Sequence, residues 1–354
     1  MTASLPWRVL AALGAALVVS SPAAVGAVGA VGAVADEQEH RVLFRWQDPD
    51  IVESSGLAVV DGLFVTVNDS GDSGRTFVVD PDTGRTVGGS SWAETPIDVE
   101  AVAPMPDGRV LVGDIGGNNE PRTSVRVLPT PVQRDFLSVD PDWTDLRYPR
   151  GAGPFDAEVL MVHPVSGRVV VVTKSFLGGT VYQAPPELPA RGEAPLRQVG
   201  TLPGFLTDGA FFPDGQHVVV RTYVGAAVYT WPGLREVGQL RLPSQEQGEA
   251  IAVAPDGRVF VSTEGAGSAV HRVAVPPELA AVVTPPAAPS PSPSPSATGA
   301  TPRDVPPEAE AEPEAEPEQS PVEEVTRRPE WTWWAGGVVG IGILVLLIRS
   351  LRPR

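Results

Sequence analysis

Five carboxylates open apolar, strand-like runs in this sequence: Glu53, Glu100, Glu158, Asp208 and Glu249. Asp98 and Asp156 stand two residues before two of them, the spacing that puts both side chains on one side of a strand. After the next β-branched run in each case come Asp69, Asp114 and Glu264, and in the two remaining places Lys174 and Arg221. If the runs are neighbouring strands, ten acids and two cations face one opening. Two carboxylates ~6 Å apart repel by roughly 3 kcal/mol at an effective dielectric near 20, so two cations do not settle the account. Some acids must hold protons, or accept hydrogen bonds from backbone N–H groups, or share a metal. Oxygen-only donors in a flexible ring suit Ca2+ better than a transition metal. The competing reading has the same acids tie strands together through Arg221, Lys174 and backbone amides. Lys174 is the only lysine in a chain that otherwise writes positive charge as arginine, which marks it for a role at that opening.

Other chemistries are excluded by what is missing. There is no cysteine, hence no disulfide framework, thiol nucleophile or thiolate metal site. The four histidines, His40, His163, His217 and His271, fall near strand ends and turns away from the acids, so no Ser-His-Asp arrangement can be assembled. A net charge of −17 repels phosphate backbones and excludes nucleic acid as a partner.

The elements that must position the acids recur five times. Each unit has an acid, an apolar strand, a tight turn and a β-branched strand. The turns are Asp61-Gly62, Asp107-Gly108, Ser166-Gly167, Asp214-Gly215 and Asp256-Gly257. Asp-Gly between alternating apolar runs makes a two-strand hairpin. A third strand follows in every unit, and weaker fourth strands read at Trp143 to Tyr148 and Leu196 to Leu202. Units of about 40 to 60 residues match four-stranded propeller blades. The sequence therefore predicts an all-β fold, a single β-propeller over residues 41–276 with five four-stranded blades, six being the alternative count. A β-sandwich lacks such self-similarity, and β-helix periods are far shorter. The last unit has no fourth strand, whereas Arg41 to Trp46 is an unpaired strand ahead of the first. That segment is expected to complete the fifth blade and close the ring, which removes exposed sheet edges. Trp46, Trp92, Trp143 and Trp231 are expected to pack between blades.

The two ends predict where the propeller is held. Arg8, the apolar run Val9 to Val19 and the small residues after it have the order of a bacterial secretory signal over residues 1–35, cleaved after Ala24 or Ala35. A retained N-terminal anchor is the alternative. Residues 285–329 change to Pro-Ser and then Glu-Ala-Glu-Pro repeats, a composition expected to be a disordered stalk. At ~3.1 Å per residue, about 45 residues reach on the order of 140 Å. Trp331, Trp333 and Trp334 precede the apolar segment within 331–348, and Arg349, Arg352 and Arg354 follow in the tail 349–354. Aromatic belt outside and positive charge inside predict one transmembrane helix with its C-terminus in the cytoplasm. No LPxTG precedes it, so a permanent anchor is expected rather than a sorting signal. The propeller is thus expected outside a single-pass membrane anchor, as a monomer.

Over Arg41 to Val275 the chain resembles secreted bacterial β-propellers near the calcium-dependent phosphotriesterase and gluconolactonase families, the β-propeller phytases and the esterase-like relatives of phytase. The likeness rests on Glu53-Ser54-Ser55-Gly56-Leu57, Asp98-Val99-Glu100-Ala101, Asp156-Ala157-Glu158, Arg221-Thr222-Tyr223 and Gly248-Glu249-Ala250-Ile251-Ala252. The resemblance implies calcium on the propeller axis, held by one acid with asparagine and aspartate partners from other blades. Glu53 and Asp208 match that pattern in type, whereas Glu100 and Glu158 stand where it has asparagines. Two functions follow as expectations. One is a displayed binding or structural module that takes a cation and an extracellular ligand at its acidic mouth. The other is a Ca2+-dependent hydrolase of phosphate or carboxylic esters in which Lys174 and Arg221 steady the developing anion.

Overall fold

A computed structural model describes residues 40–69, 71–117 and 120–284, which lie in one compact unit. The expected signal, stalk, anchor and tail lie outside the described residues. No helix among the described residues is long and apolar enough to cross a membrane.

The described chain is all-β with five blades. Blade 1 runs outward as β2 (Ser54–Val60), β3 (Leu63–Asn68), β4 (Phe77–Asp80) and β5 (Arg85–Ser91). Blade 2 has β6 (Val99–Pro104), β7 (Val110–Asp114), β8 (Ser124–Thr130) and β10 (Thr144–Arg147). Blade 3 has β11 (Ala157–Val162), β12 (Val169–Thr173), β13 (Gly179–Gln183) and β15 (Arg197–Leu202). Blade 4 has β16 (Leu206–Phe211), β17 (His217–Thr222), β18 (Ala226–Thr230) and β19 (Glu236–Leu240). Blade 5 has β20 (Gly248–Val253), β21 (Val259–Thr263), β22 (Ala269–Val273) and, outermost, β1 (His40–Arg45). The first strand thus closes the ring, antiparallel to β22 with His40 opposite Val273. The Asp-Gly turn of blade 1 adopts the left-handed backbone a tight hairpin needs, with φ of 50° at Asp61 and 78° at Gly62.

Two features were not expected. The linkers before β10 and β15 add short strands, β9 (Phe136–Ser138) and β14 (Gly192–Pro195), parallel to β5 and β10 of the preceding blade. Each stitches one blade to the next. After Pro276 a short helix α1 (Pro277–Val283) buries Leu279 and Val283 between blades 4 and 5.

Each innermost strand packs against those of both neighbours, from β2 through β6, β11, β16 and β20 back to β2. Such strands are buried on both faces, which is why β11 and β20 read as unbroken apolar runs after their acid. The core is divided among the seams between blades, with an apolar cluster at each of the five. Trp92 and Trp143 meet edge-to-face, ring centres 5.9 Å apart, at the seam of blades 1 and 2.

Candidate functional site

Each inner hairpin breaks register once, at the same level. The break skips Ser55 in blade 1, Glu100 in blade 2, Glu158 in blade 3, Thr207 in blade 4 and Glu249 with Ala250 in blade 5. A bulge re-aims its extra side chain, and five bulges at one height form a ring around the axis. The equivalence shows in the bonding: Ser55 Oγ donates to the Glu100 carbonyl of the next blade at 2.9 Å, and Thr207 Oγ1 to the Glu249 carbonyl at 2.8 Å. The ring is therefore Ser55, Glu100, Glu158, Thr207 and Glu249. It differs from the expected set in blades 1 and 4, where Glu53 stands two residues before the bulge and Asp208 one after.

A second tier lies above the ring. The backbone amides of Asp69, Gly116, Lys174 and Glu264 donate to the carbonyls of Glu53, Asp98, Asp156 and Gln247. Glu53, Asp98 and Asp156 are thus counterparts, two residues before their bulges, and Asp69, Lys174 and Glu264 stand opposite at the ends of the second strands. The two tiers bring Asp69, Asp98 and Glu100 together, with one carboxylate oxygen of each within 4.8 Å of the others. Asp98 and Glu100 are 3% and 2% exposed, and Asp69 is half-buried.

Electrostatics follow from that crowding. Burial, then Glu158, Asp69 and Asp98, push the Glu100 carboxyl up to about 11. Burial pushes Glu158 up to about 8 against the pull of Lys174, whose Nζ lies 2.5 Å from Glu158 Oε1. Burial works against the Lys174 ammonium as well, but Glu158 outweighs it and holds that group above its ordinary range. Burial and then Glu264 raise Glu249 to about 7. Asp156 and Glu264 are raised too, burial being the largest cause in both; Asp156 accepts a 2.8 Å bond from the Gly117 amide.

Three residues expected at the mouth are committed elsewhere. Asp114, fully buried, accepts from the amides of Ile97 and Asp98 at 3.0 Å each and from Arg122 and Arg126 at 2.7 and 2.8 Å. Burial opposes its charge, yet those donors hold its carboxyl below the usual range. Asn68 does the same job in blade 1, taking the amides of Val52 and Glu53 on its side-chain oxygen. Asp208 is 1% exposed and accepts from the amides of Gly209 and, across the seam, Ile251 at 2.7 and 2.8 Å. Arg221 is fully buried rather than open to a ligand. It donates to the carbonyls of Ala250 and Ser262 at 2.7 and 2.9 Å and to Gln245 at 2.6 Å. Gly248 makes this possible, since a Cβ there would come within 1.8 Å of Arg221 Nη2.

The three grouped acids fit a hard cation. They offer only oxygen, from three residues on two blades. Gly116 leaves the space they occupy, for a Cβ there would stand 2.5 Å from Asp98 Oδ2 and 2.7 Å from Glu100 Cγ. Ser55, Thr207 and Gln247 were missed because the repeat was aligned on its acids. Counting back seven residues from Asp107, Asp214 and Asp256 reaches Glu100, Thr207 and Glu249, a signal present in the spacing of the turns. The opposite end of the axis is apolar, a cavity of about 300 Å3 lined by residues such as Leu57, Val102, Met161, Phe211 and Val253.

No family model and no curated protein matches the chain. Among solved structures it is similar to a gluconolactonase of Xanthomonas campestris described as important in glucose secondary metabolic pathways. The two share 15% identity over 67% of this chain and 80% of the other, with a TM-score of 0.39. Similarity at that level leaves the chemistry to be read from the side chains themselves.

Proposed function

We propose that the propeller is a cation-dependent binding module, with Asp69, Asp98 and Glu100 holding a Ca2+-class ion and a small oxygen-bearing ligand engaging the mouth above it. The observation that carries this reading is the meeting of those three carboxylates, two of them buried, beneath the cleared space at Gly116. Three carboxylates crowded at a buried site disfavour their joint ionisation, which binding of a proton or a cation relieves. A bound cation would displace the proton that Glu100 otherwise keeps at neutral pH. In keeping with the two ends of the sequence, the module is displayed outside the cell on a C-terminal membrane anchor.

The test is the melting temperature of the full-length chain in EDTA and across a Ca2+ titration. An ion at a hundredfold excess over its Kd stabilises by about 2.7 kcal/mol, or roughly 5–10 °C here. Identical melting in EDTA and in excess Ca2+ overturns the reading.

A second reading rests on the Glu158–Lys174 pair. Glu158 titrates near neutrality beside a fixed ammonium, which is what proton transfer at an ester or lactone requires. A cation, when bound, would add Lewis-acid polarisation of a ligand oxygen. Lys174 would steady negative charge on the ligand; Arg221, sealed within its seam, would not. Turnover of an aryl ester or lactone that disappears in Lys174→Met supports the hydrolase, and Ca2+ stabilisation with no turnover supports the module alone.

A further inference from the structure

Blade 4 departs from its neighbours at both positions of the second tier of the mouth. Where the other blades place Glu53, Asp98, Asp156 and Gln247, two residues before the bulge, blade 4 has Phe205. Where they place Asp69, Lys174 and Glu264, at the end of the second strand, it has Tyr223. The two rings lie 6.1 Å apart between centres, and Phe176 from the β12–β13 turn of blade 3 continues the row at 5.4 Å from Phe205. Phe176, Leu177 and Val224 are 90%, 97% and 92% exposed. An exposed apolar cluster on the rim of an otherwise acidic opening marks a contact surface.

Lys174 joins this cluster to the acids. Its ammonium bonds Glu158 below and stands 5.1 Å from the centre of the Phe205 ring and 5.9 Å from that of Tyr223. A molecule seated on the acids is thus within one side chain of the rings. We propose that the ligand is amphiphilic, with an oxygen-bearing head at the acids and an acyl or aryl arm laid across Phe176, Leu177, Phe205, Tyr223 and Val224. This rests on the reading of the mouth as the ligand site. Two turns and one strand start form too small a patch for a standard protein interface, which takes 20–30 residues a side. The acidic rim around it opposes an anionic membrane surface. The continuity through Lys174 instead favours a small molecule that spans both surfaces.

The experiment is calorimetry of the full-length chain in Ca2+ with two neutral lactones, γ-butyrolactone and γ-nonalactone, which share a head and differ in arm. Affinity is expected to rise about two- to fourfold per methylene that the patch covers. Phe176→Ser combined with Leu177→Ser is expected to remove most of that gain. Both side chains are exposed, and an unchanged Ca2+-induced melting shift shows the variant folded. If both lactones bind equally, the arm is refuted and the mouth stands. If neither binds while Ca2+ still stabilises, the amphiphilic ligand is refuted and the cation site stands; if Ca2+ does nothing, the mouth reading fails as well. Self-association or vesicle binding that the double variant abolishes, without length-dependent lactone binding, also overturns the proposal.

Discussion

Asp114 and Asp208 lie within a residue or two of the same height as Asp98 and Glu100, yet the two pairs are set among different neighbours, even though burial raises the carboxyls of Asp208 and Glu100 alike. Asp114 has two amides and two guanidinium groups around it, and Asp208 has an amide on each oxygen. Asp98 and Glu100 crowd each other and Asp69 instead. What distinguishes the two pairs is the charge each carboxylate faces, Arg122 and Arg126 at Asp114 and Arg221 near Asp208 against Glu158, Asp69 and Asp98 around Glu100, which neither residue type nor strand position reveals.

The sharpest way to break that contrast is to remove a fastening acid. Asp114→Ala strands two largely buried guanidinium groups and should cost about 3–5 kcal/mol, a fall in melting temperature of roughly 10 °C, with the Ca2+ response kept. A loss under about 1 kcal/mol would show that Asp114 is not a fastener. Arg221→Met comes next: it deprives two carbonyls and Gln245 of charged donors across the seam of blades 4 and 5 and should cost about 3 kcal/mol by chemical denaturation.

Glu100→Gln should do the reverse. At neutral pH Glu100 must take up a proton on folding that the unfolded chain lacks, a cost the amide escapes, so stability in EDTA should be higher than the parent's at pH 7 and approach it near pH 4. The Ca2+-induced melting shift should vanish. A large loss of stability in EDTA, with the shift retained, would place Glu100 among the fasteners.

The smallest effect expected is a pH trend. Glu249 and Glu158 have folded values of about 7 and about 8, above those of the unfolded chain, so the folded protein binds more protons between about pH 4.5 and 8. The stability they contribute is complete below that window and is lost as pH rises through it. Melting temperature in EDTA should therefore fall from pH 7 to pH 8, and Ca2+ should flatten the fall. The lowered group Asp114 acts at lower pH, and His271, lowered by burial, opposes the trend only up to its ordinary value near 6.5, so the fall is read cleanly between pH 7 and 8. A rise over that interval would contradict these environments.

The fold was legible because blade architecture is written in local patterns. Asp61-Gly62 and its counterparts set the hairpins, and the strand from Arg41 could close only the blade that lacked one. The site was legible as a neighbourhood and not as a ring. A bulge shifts the skipped residue by one or two places, so the acids in Glu53-Ser54-Ser55 and Thr207-Asp208 looked equivalent to Glu100 while the hydroxyls beside them held its position. Arg221 reads as a mouth cation by strand position, but a missing side chain at Gly248, distant in sequence, draws it into the seam. The helix after Pro276 had no expected role because its seven residues carry too little pattern to read.

The outermost strand of blade 5 is the first to be synthesised and the last to find its place. Between His40 and its partner Val273 lies nearly every residue of the propeller, so a growing chain carries β1 as an unpaired ribbon until the final hairpin exists. Closure over so long a loop is slow and makes the native state cooperative from end to end. A chain cut anywhere before β22 would leave a bare strand edge at each terminus, and such fragments are more prone to aggregate than to persist as partial rings.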